Sequence, residues 1–356
     1  MATLLGQSLG QYQILDFLGE GGVAHVYRAR RISEKNDVAI KVIKPGLVDL
    51  NDLFRGIKRE ALVSTALRHP HILNIFSYGE HEKTVYMVMP LLPGGNLADL
   101  VRTRNLSLAD ISRIVDQIAS ALDYIHMHGL VHRDIKLENI LINENGQAVL
   151  SDFGLVKALD DTAKDRFSAK NEAWHSTRKG TVIGTPGYMS PEQCRSETVD
   201  ARSDVYSLGV MLFELLTGCL PFNAETSIEA MYMHIAKEAP PVTFLNPNLS
   251  PQFNPVLSCA LAKKPEDRYA SAGELAAALK AVVISLGIAV EPASADGPPA
   301  AHPPLNQPAP SVTMESPAPG AKPASSKVSF SSLAMAMVAV SCITFLMVVL
   351  LVTTRA

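Results

Sequence analysis

The eight residues His132-Arg133-Asp134-Ile135-Lys136-Leu137-Glu138-Asn139 carry a histidine, two cations, two carboxylates and an amide. Apolar runs flank them, Leu130-Val131 before and Ile140-Leu141-Ile142 after. The runs read as short buried strand-like segments with a polar loop held between them. A solvated charged turn needs no particular order of side chains. Here Asp134, Lys136 and Asn139 fall at offsets 0, 2 and 5, an order that suits phosphoryl transfer. Asp134 would accept the proton of an attacking hydroxyl, Lys136 would neutralise the moving phosphoryl group, and Asn139 would hold a metal ion.

Elements able to position such a loop occur in order along the chain. Tyr12 to Leu18 alternates as a strand does, and Gly19-Glu20-Gly21-Gly22-Val23-Ala24 follows. Its glycines let the backbone fold over phosphates and aim N–H groups at them. A hairpin turn or a dinucleotide loop shares that composition. A dinucleotide loop opens a helix, however, whereas Val26 to Arg30 reads as a second strand. Val38-Ala39-Ile40-Lys41 ends an apolar strand on a lysine 20 residues after Gly21. Phe54 to Leu67 reads as a helix carrying Glu60, which would hold Lys41 or pair with cations on its own helix. Val85 to Met89 reads as a buried strand, broken by Pro90-Leu91-Leu92-Pro93-Gly94-Gly95. Ser107 and Asp110 form a capping-box pattern. Ile111, Val115, Ile118, Leu122 and Ile125 then make a core-facing stripe that Gly129 ends, delivering the chain to His132. Asp152-Phe153-Gly154 lies 18 residues beyond Asp134.

Taken in order, these motifs resemble the protein kinases, and most of all the bacterial, membrane-anchored members of the eukaryotic-type (Hanks-type) serine/threonine class. The resemblance implies an α+β, bilobal protein kinase fold over residues 12–286, with a small β-rich N-lobe and a larger α-helical C-lobe. It implies Asp134 and Lys136 as catalytic residues, Asn139 and Asp152 as Mg²⁺ ligands, and Glu60 as the partner of Lys41. Its ATP site comprises Leu18, Gly19, Glu20, Gly21, Gly22, Val26, Ala39, Lys41, Glu60, Met89, Pro90, Leu92, Asn96 and Leu141. Adenine would bond the Pro90 carbonyl and the Leu92 N–H, and a proline keeps its carbonyl. Ala24 replaces the usual third glycine, a change of one methyl group. Lys136 matches the serine/threonine class.

The resemblance also gives roles to the distal half. Residues 155–183 would form an activation segment, with Thr177 first and Thr181 second as phosphorylation sites. A phosphate there adds roughly −2 charge and would pair with Arg133. Ser190-Pro191-Glu192 would close a substrate platform, with Thr185 touching Asp134 and Lys136. Glu192 would pair with Arg268, and Asp204 would anchor the backbone of the catalytic loop. Expected partners are ATP, protein substrates, and a second copy of the chain for autophosphorylation. A scaffold that binds without catalysis competes with this reading, and so does a kinase of small molecules. The intact set Lys41, Glu60, Asp134, Asn139 and Asp152 counts against the first; the platform and the long segment before it count against the second.

The whole chain sets further bounds. A net charge of −3 over 356 residues gives no field for nucleic acid. The four cysteines are widely spaced and form no C-x-x-C pair, which suits a reducing compartment. The first thirty residues lack the apolar region of a signal peptide. Residues 287–330 are rich in Pro, Ala and Ser, with ten prolines between Ile288 and Lys327, so they form a linker and no core. It would span roughly 35 Å as a flexible chain and about 120 Å fully extended. Leu333 to Val352 has neither charge nor proline over 20 residues, about the 30 Å of a bilayer core as a helix. A single transmembrane helix over 331–353 is expected. Lys322 and Lys327 before it and Arg355 after it lean towards a cytoplasmic kinase domain.

Overall fold

Alternating apolar residues in the first ninety positions become an antiparallel sheet. A computed structural model describes residues 4–21, 24–33, 36–44, 67–81, 84–152 and 186–290. The chain divides into two units, Met1–Pro304 and Leu305–Ala356; the second lies wholly outside the described residues. The sheet contains β1 (Ser8–Leu9), β2 (Tyr12–Glu20), β3 (Ala24–Arg31), β4 (Asp37–Ile43), β5 (Ser77–His81) and β6 (Thr84–Pro90), in the order β1-β2-β3-β4-β6-β5. Side chains two apart share a face. Val38, Ile40 and Val42 therefore pack with Tyr27, Ala29, Tyr86 and Val88, under the N-terminal Leu4 and Leu9. Ala39 and Ile43 pack on the other face with Ala24, Met87 and Met89. Lys41, between them in sequence, belongs to this second face.

The large lobe is helical: α1 (Leu97–Thr103), α2 (Leu108–Met127), α3 (Pro191–Cys194), α4 (Ala201–Thr217), α5 (Ser227–Ala236), α6 (Val242–Leu245), α7 (Phe253–Ala260) and α8 (Ala272–Ser285). The expected capping box forms on α2, where Ser107 and Asp110 bond reciprocally. Gly129 then takes φ +71°, the left-handed conformation that glycine adopts without a Cβ penalty. α4 is the central post, with every residue from Ser203 to Phe213 buried. Gly209 makes close packing possible: a Cβ there would lie 2.8 Å from the Cβ of Ala260 in α7. A short hairpin of β7 (Ile140–Ile142) and β8 (Ala148–Leu150) lies between the helices and the sheet.

Residues 67–73 precede β5 in sequence but are bonded to β8. Leu150 N–H donates to His71 O at 2.9 Å, Leu73 N–H donates to Leu150 O at 2.9 Å, and His71 Nδ1–H donates to Ala148 O at 2.9 Å. Leu67 and Ile72 bury in the large-lobe core, while Leu73 joins the small-lobe cluster.

Three details depart from the sequence expectation. Leu130-Val131 forms no strand, because the N–H groups that follow bond a carboxylate instead of a neighbouring strand. Pro90 closes β6 opposite Val38 rather than breaking it, since a strand end needs no further N–H. The sheet also begins four residues before Tyr12, at Ser8. Of the expected helix from Phe54 to Leu67, residues 54–66 lie outside the described residues and Leu67 itself is not helical; the expected membrane span also lies outside the described residues. Among the described residues no helix is long and apolar enough to cross a membrane.

Candidate active site

The loop after α2 has a strained backbone held by side chains from distant elements. Arg133 sits at φ +69°, a left-handed conformation that costs a non-glycine residue about 1–3 kcal/mol and persists only when its surroundings impose it. Asp204, in the first turn of α4, imposes it. Its wholly buried carboxylate accepts the N–H of His132 at 2.8 Å on Oδ2 and the N–H of Arg133 at 2.8 Å on Oδ1. Gln193 of α3 donates from Nε2 to the Arg133 carbonyl at 2.9 Å. His132 is buried. Its Nδ1 accepts from the Asp134 N–H at 3.3 Å, so Nε2 carries the proton and donates to Ser151 O at 2.9 Å.

Asp134, Lys136 and Asn139 meet as the sequence expects. The Nδ2 of Asn139 donates to Asp134 Oδ2 at 2.8 Å and to Asp134 O at 2.7 Å, and Lys136 Nζ lies 2.9 Å from the same Oδ2. The Asn139 carbonyl accepts both the N–H and the Oγ–H of Ser151, each at 2.9 Å. That fixes Asn139 to the residue preceding Asp152, across the paired ends of β7 and β8. Asp152 takes φ +64°, and its Oδ1 lies 2.6 Å from Lys41 Nζ. Burial alone would push its carboxyl pKa up. The charge and hydrogen bond of Lys41, with help from His132 and Lys136, outweigh burial and hold it below the ordinary range. The carboxylate is thus ionised at neutral pH.

These donors fit a magnesium ion. One carboxylate and one amide oxygen are hard ligands, and magnesium commonly keeps waters and substrate phosphates as the rest of its shell. Among the described residues no group of three or more His, Cys, Asp or Glu could hold a metal on protein ligands alone. Asp152 and Asn139 would hold the ion, with phosphate oxygens completing its shell.

The expected nucleotide residues gather on the second face of the sheet. Val26, Ala39, Met89, Leu92 and Leu141 share one apolar cluster with Val149. Gly19 pairs with Val26 across the hairpin, and Gly21 N–H donates to Ala24 O at 2.8 Å. Leu18 is 48% exposed, available to cover a ligand. Glu20 is exposed and pairs with Lys44 at 2.5 Å; the hydrogen bond and charge of that lysine depress its pKa. The linker after Pro90 is tied to β7: Gly94 N–H donates to Ile142 O at 3.1 Å, and Ile142 N–H to Gly95 O at 2.9 Å. A Cβ at Gly94 would lie 2.6 Å from Ile142 O, so only glycine fits there. Asn96 bridges to Leu141, but its side chain caps α1, accepting the Asp99 N–H at 2.8 Å.

The platform is rooted in the core. Glu192 and Arg268 form a bidentate pair at 2.7 and 2.9 Å. Burial would raise the Glu192 pKa; hydrogen bonds from Arg268 and Ser203, with the Arg268 charge, outweigh it and hold the pKa low. Ser190 caps α3 through a capping box with Gln193. Tyr188 donates a very short hydrogen bond to Glu214 of α4. Gly22, Glu60, Phe153, Gly154, Thr177, Thr181 and Thr185 lie outside the described residues. Sequence reasoning missed Gln193, whose role depends on a contact with Arg133, 60 residues away. It also missed His126, which bonds Asp204 across 78 residues; a histidine one turn before the loop was the available signal.

Comparison with known proteins agrees with this geometry. A family model described as "Protein kinase domain" matches residues 12–279. The chain is 37% identical over 274 residues to serine/threonine-protein kinase PknB of Mycolicibacterium smegmatis, covering 76% of this chain and 42% of that protein. It is 35% identical over 279 residues to serine/threonine-protein kinase PrkC of Bacillus subtilis, covering 78% and 41%. The match thus spans about two fifths of the length of these relatives. Among solved structures, the kinase domain of Mycobacterium tuberculosis PknI is similar with a TM-score of 0.60 at 26% identity, covering 79% of this chain and 99% of that one.

Proposed function

The chain belongs to the protein kinase family, and on that premise we propose that it is a serine/threonine protein kinase, transferring the γ-phosphoryl group of ATP to protein hydroxyls. The observation that carries this reading is the convergence of Asp134, Lys136 and Asn139 on one loop, tied through Ser151 to the Lys41–Asp152 pair. A substrate hydroxyl oxygen attacks the γ-phosphorus. The bond from that phosphorus to the β,γ-bridging oxygen breaks, and ADP leaves with the electron pair. Oδ2 of Asp134 already accepts from Lys136 and Asn139, so Oδ1 is the oxygen that receives the substrate proton. Lys136 stabilises charge on the moving group, and Lys41 moves from Asp152 to the α- and β-phosphates. Bound magnesium would supply neutralisation of the phosphate charge, held by Asp152 and Asn139.

The regulatory and cellular parts of the proposal rest on sequence. Thr177, with Thr181 as the second candidate, is the autophosphorylation site, modified by a second copy of the chain. Residues 331–353 anchor the protein in a membrane as a single pass, the kinase domain lies on the cytoplasmic side, and the proline-rich linker sets its reach. Extraction should test the anchor: the full chain stays in the membrane pellet through alkaline carbonate washing, whereas a chain ending at 330 is released.

Activity is tested with the full chain, Mg²⁺ and γ-labelled ATP, beside Asp134→Asn. A positioned base contributes about 10²–10⁴-fold, so the variant should lose turnover by that factor while keeping its circular dichroism spectrum. Mass spectrometry should find label on Thr177 or Thr181 in the parent alone. Parental turnover in a folded Asp134→Asn would refute the assignment.

A further inference from the structure

We infer that one end of the large lobe, formed by α6, the start of α7 and the end of α8, rests on the surface of a lipid bilayer; the inference depends on the membrane anchor proposed above. Four large apolar side chains are exposed there: Phe244 at 79% and Leu245 at 39% on α6, and Ile284 at 55% and Leu286 at 39% at the end of α8. Hydrogen bonds join the two pairs. Val242 N–H donates to Asn254 Oδ1 at 3.0 Å, and Asn254 Nδ2 donates to Thr243 Oγ1 at 3.4 Å, which fixes α6 to α7. Ser285, between Ile284 and Leu286, donates from Oγ to Gln252 Oε1 at 2.7 Å, at the start of α7. The four apolar side chains thus flank one run of polar contacts.

The region is also free of charge. Residues 239–262 and 281–290 contain no Asp, Glu, Lys, Arg or His, although 19% of the chain is charged. By contrast, exposed Ile228 lies between Glu225 and Glu229, and exposed Ile32 follows Arg31. Charged side chains hold a surface in water because desolvating them is costly. An apolar surface without them meets lipid at no such cost. The course of the chain says which partner is near. Gly287 takes φ +77° and turns the chain at the end of α8, Ile288 N–H donates to Val283 O at 3.3 Å, and Ile288 and Val290 pack against the large-lobe core. The chain is therefore held beside this surface as far as Val290. Residues 291–330 reach roughly 35 Å as a flexible chain, and the expected span over 331–353 follows. Such a tether gives the surface a local concentration in the mM range, so a contact too weak to act between free molecules is populated.

The test places a tryptophan reporter in the full chain, reconstituted in phosphatidylcholine vesicles with or without brominated acyl chains. Trp174→Phe removes the native tryptophan, and Phe244→Trp supplies the reporter. Its fluorescence should fall by about 30% or more in the brominated vesicles, as a substantially populated contact requires. A control with Ile32→Trp, on the small lobe, should change by less than about 5%, because nothing holds that side chain at the lipid. Adding Ile284→Glu to the Phe244→Trp chain should return its quenching to the control level, since a carboxylate resists desolvation. Retention of the chain through carbonate washing without quenching at position 244 would overturn the inference and leave the anchor standing. Release by carbonate would overturn the anchor, and the lipid contact with it. Equal quenching at positions 244 and 32 would overturn the inference, as would a blue-shifted but unquenched reporter, which would mean that protein, such as a second copy of the chain, covers the surface.

Discussion

Arg28 in the small lobe and Arg268 in the large lobe both pair with carboxylates, and the two settings have little else in common. Arg28 sits on the sheet surface between Asp16 and Asp37, with its side chain 37% exposed and that of Asp16 54% exposed. Water and salt screen such a pair. The Arg268 side chain is wholly buried. It directs two N–H groups to Glu192 and the other three to the carbonyls of Ala262, Arg202 and Lys263, so all five donors are satisfied. Glu192 Oε1 further accepts the Ser203 hydroxyl at 2.5 Å. Apolar alternation therefore holds the small lobe together, with charge as an accessory. In the large lobe a saturated polar network is part of the core, and it supports the platform beside the transfer loop.

Three measurements would break or sharpen that contrast. Arg268→Met should have the largest effect, leaving Glu192 buried without its cation and costing about 3–5 kcal/mol in chemical denaturation. A wild-type midpoint would show the network to be dispensable.

Acid should act next, and again on the large lobe. His234 is fully buried, with Tyr206 Oη 2.9 Å from its Nδ1. Burial, with the nearby Lys263 charge, drives its pKa down to about 4 despite a backbone bond at Gly187. The unfolded chain, with an ordinary value near 6.5, binds more protons than the folded chain between these limits. Stability is thus full above about pH 6.5 and falls as pH drops towards 4, by on the order of 3 kcal/mol from this group. His69, held down to about 4 by burial and His71, adds to the same window. His234→Gln should show a shallower loss between pH 7 and pH 4.5; a parental slope would remove His234 from the account.

The smallest effect is expected at Arg28→Met, a loss below about 1 kcal/mol that shrinks further in salt. A loss as large as that of Arg268→Met would erase the distinction between the lobes.

Local patterns and ordered motifs carried most of the architecture into view. The Ser107 capping box and Gly129 fixed both ends of α2, and the stripe from Ile111 to Ile125 is buried as its spacing requires. The Asp204 anchor and the Glu192–Arg268 pair follow from the family resemblance and appear as hydrogen bonds. Interactions between distant residues without a recognised motif stayed hidden. Nothing near Gln193 indicates that its amide bonds the Arg133 carbonyl. Nothing near Lys41 indicates that it meets Asp152 at 2.6 Å. Leu130-Val131 looked like a strand because burial and apolar character do not reveal where a backbone N–H will bond.

The attachment of residues 67–73 to β8 bears on how this chain could be divided. A gene cut in the linker near Pro93, where the lobes part in sequence, would not separate two folding units. The N-terminal piece would keep Leu67 and Ile72 but lose the core that buries them. The C-terminal piece would lose the backbone partner of Leu150 and the imidazole on the Ala148 carbonyl. Split-protein reassembly would then require both halves to fold together, each supplying the other's missing edge. A cut ahead of residue 67 keeps that edge whole but parts β4 from β6 in the middle of the sheet, so those two pieces would also have to fold together.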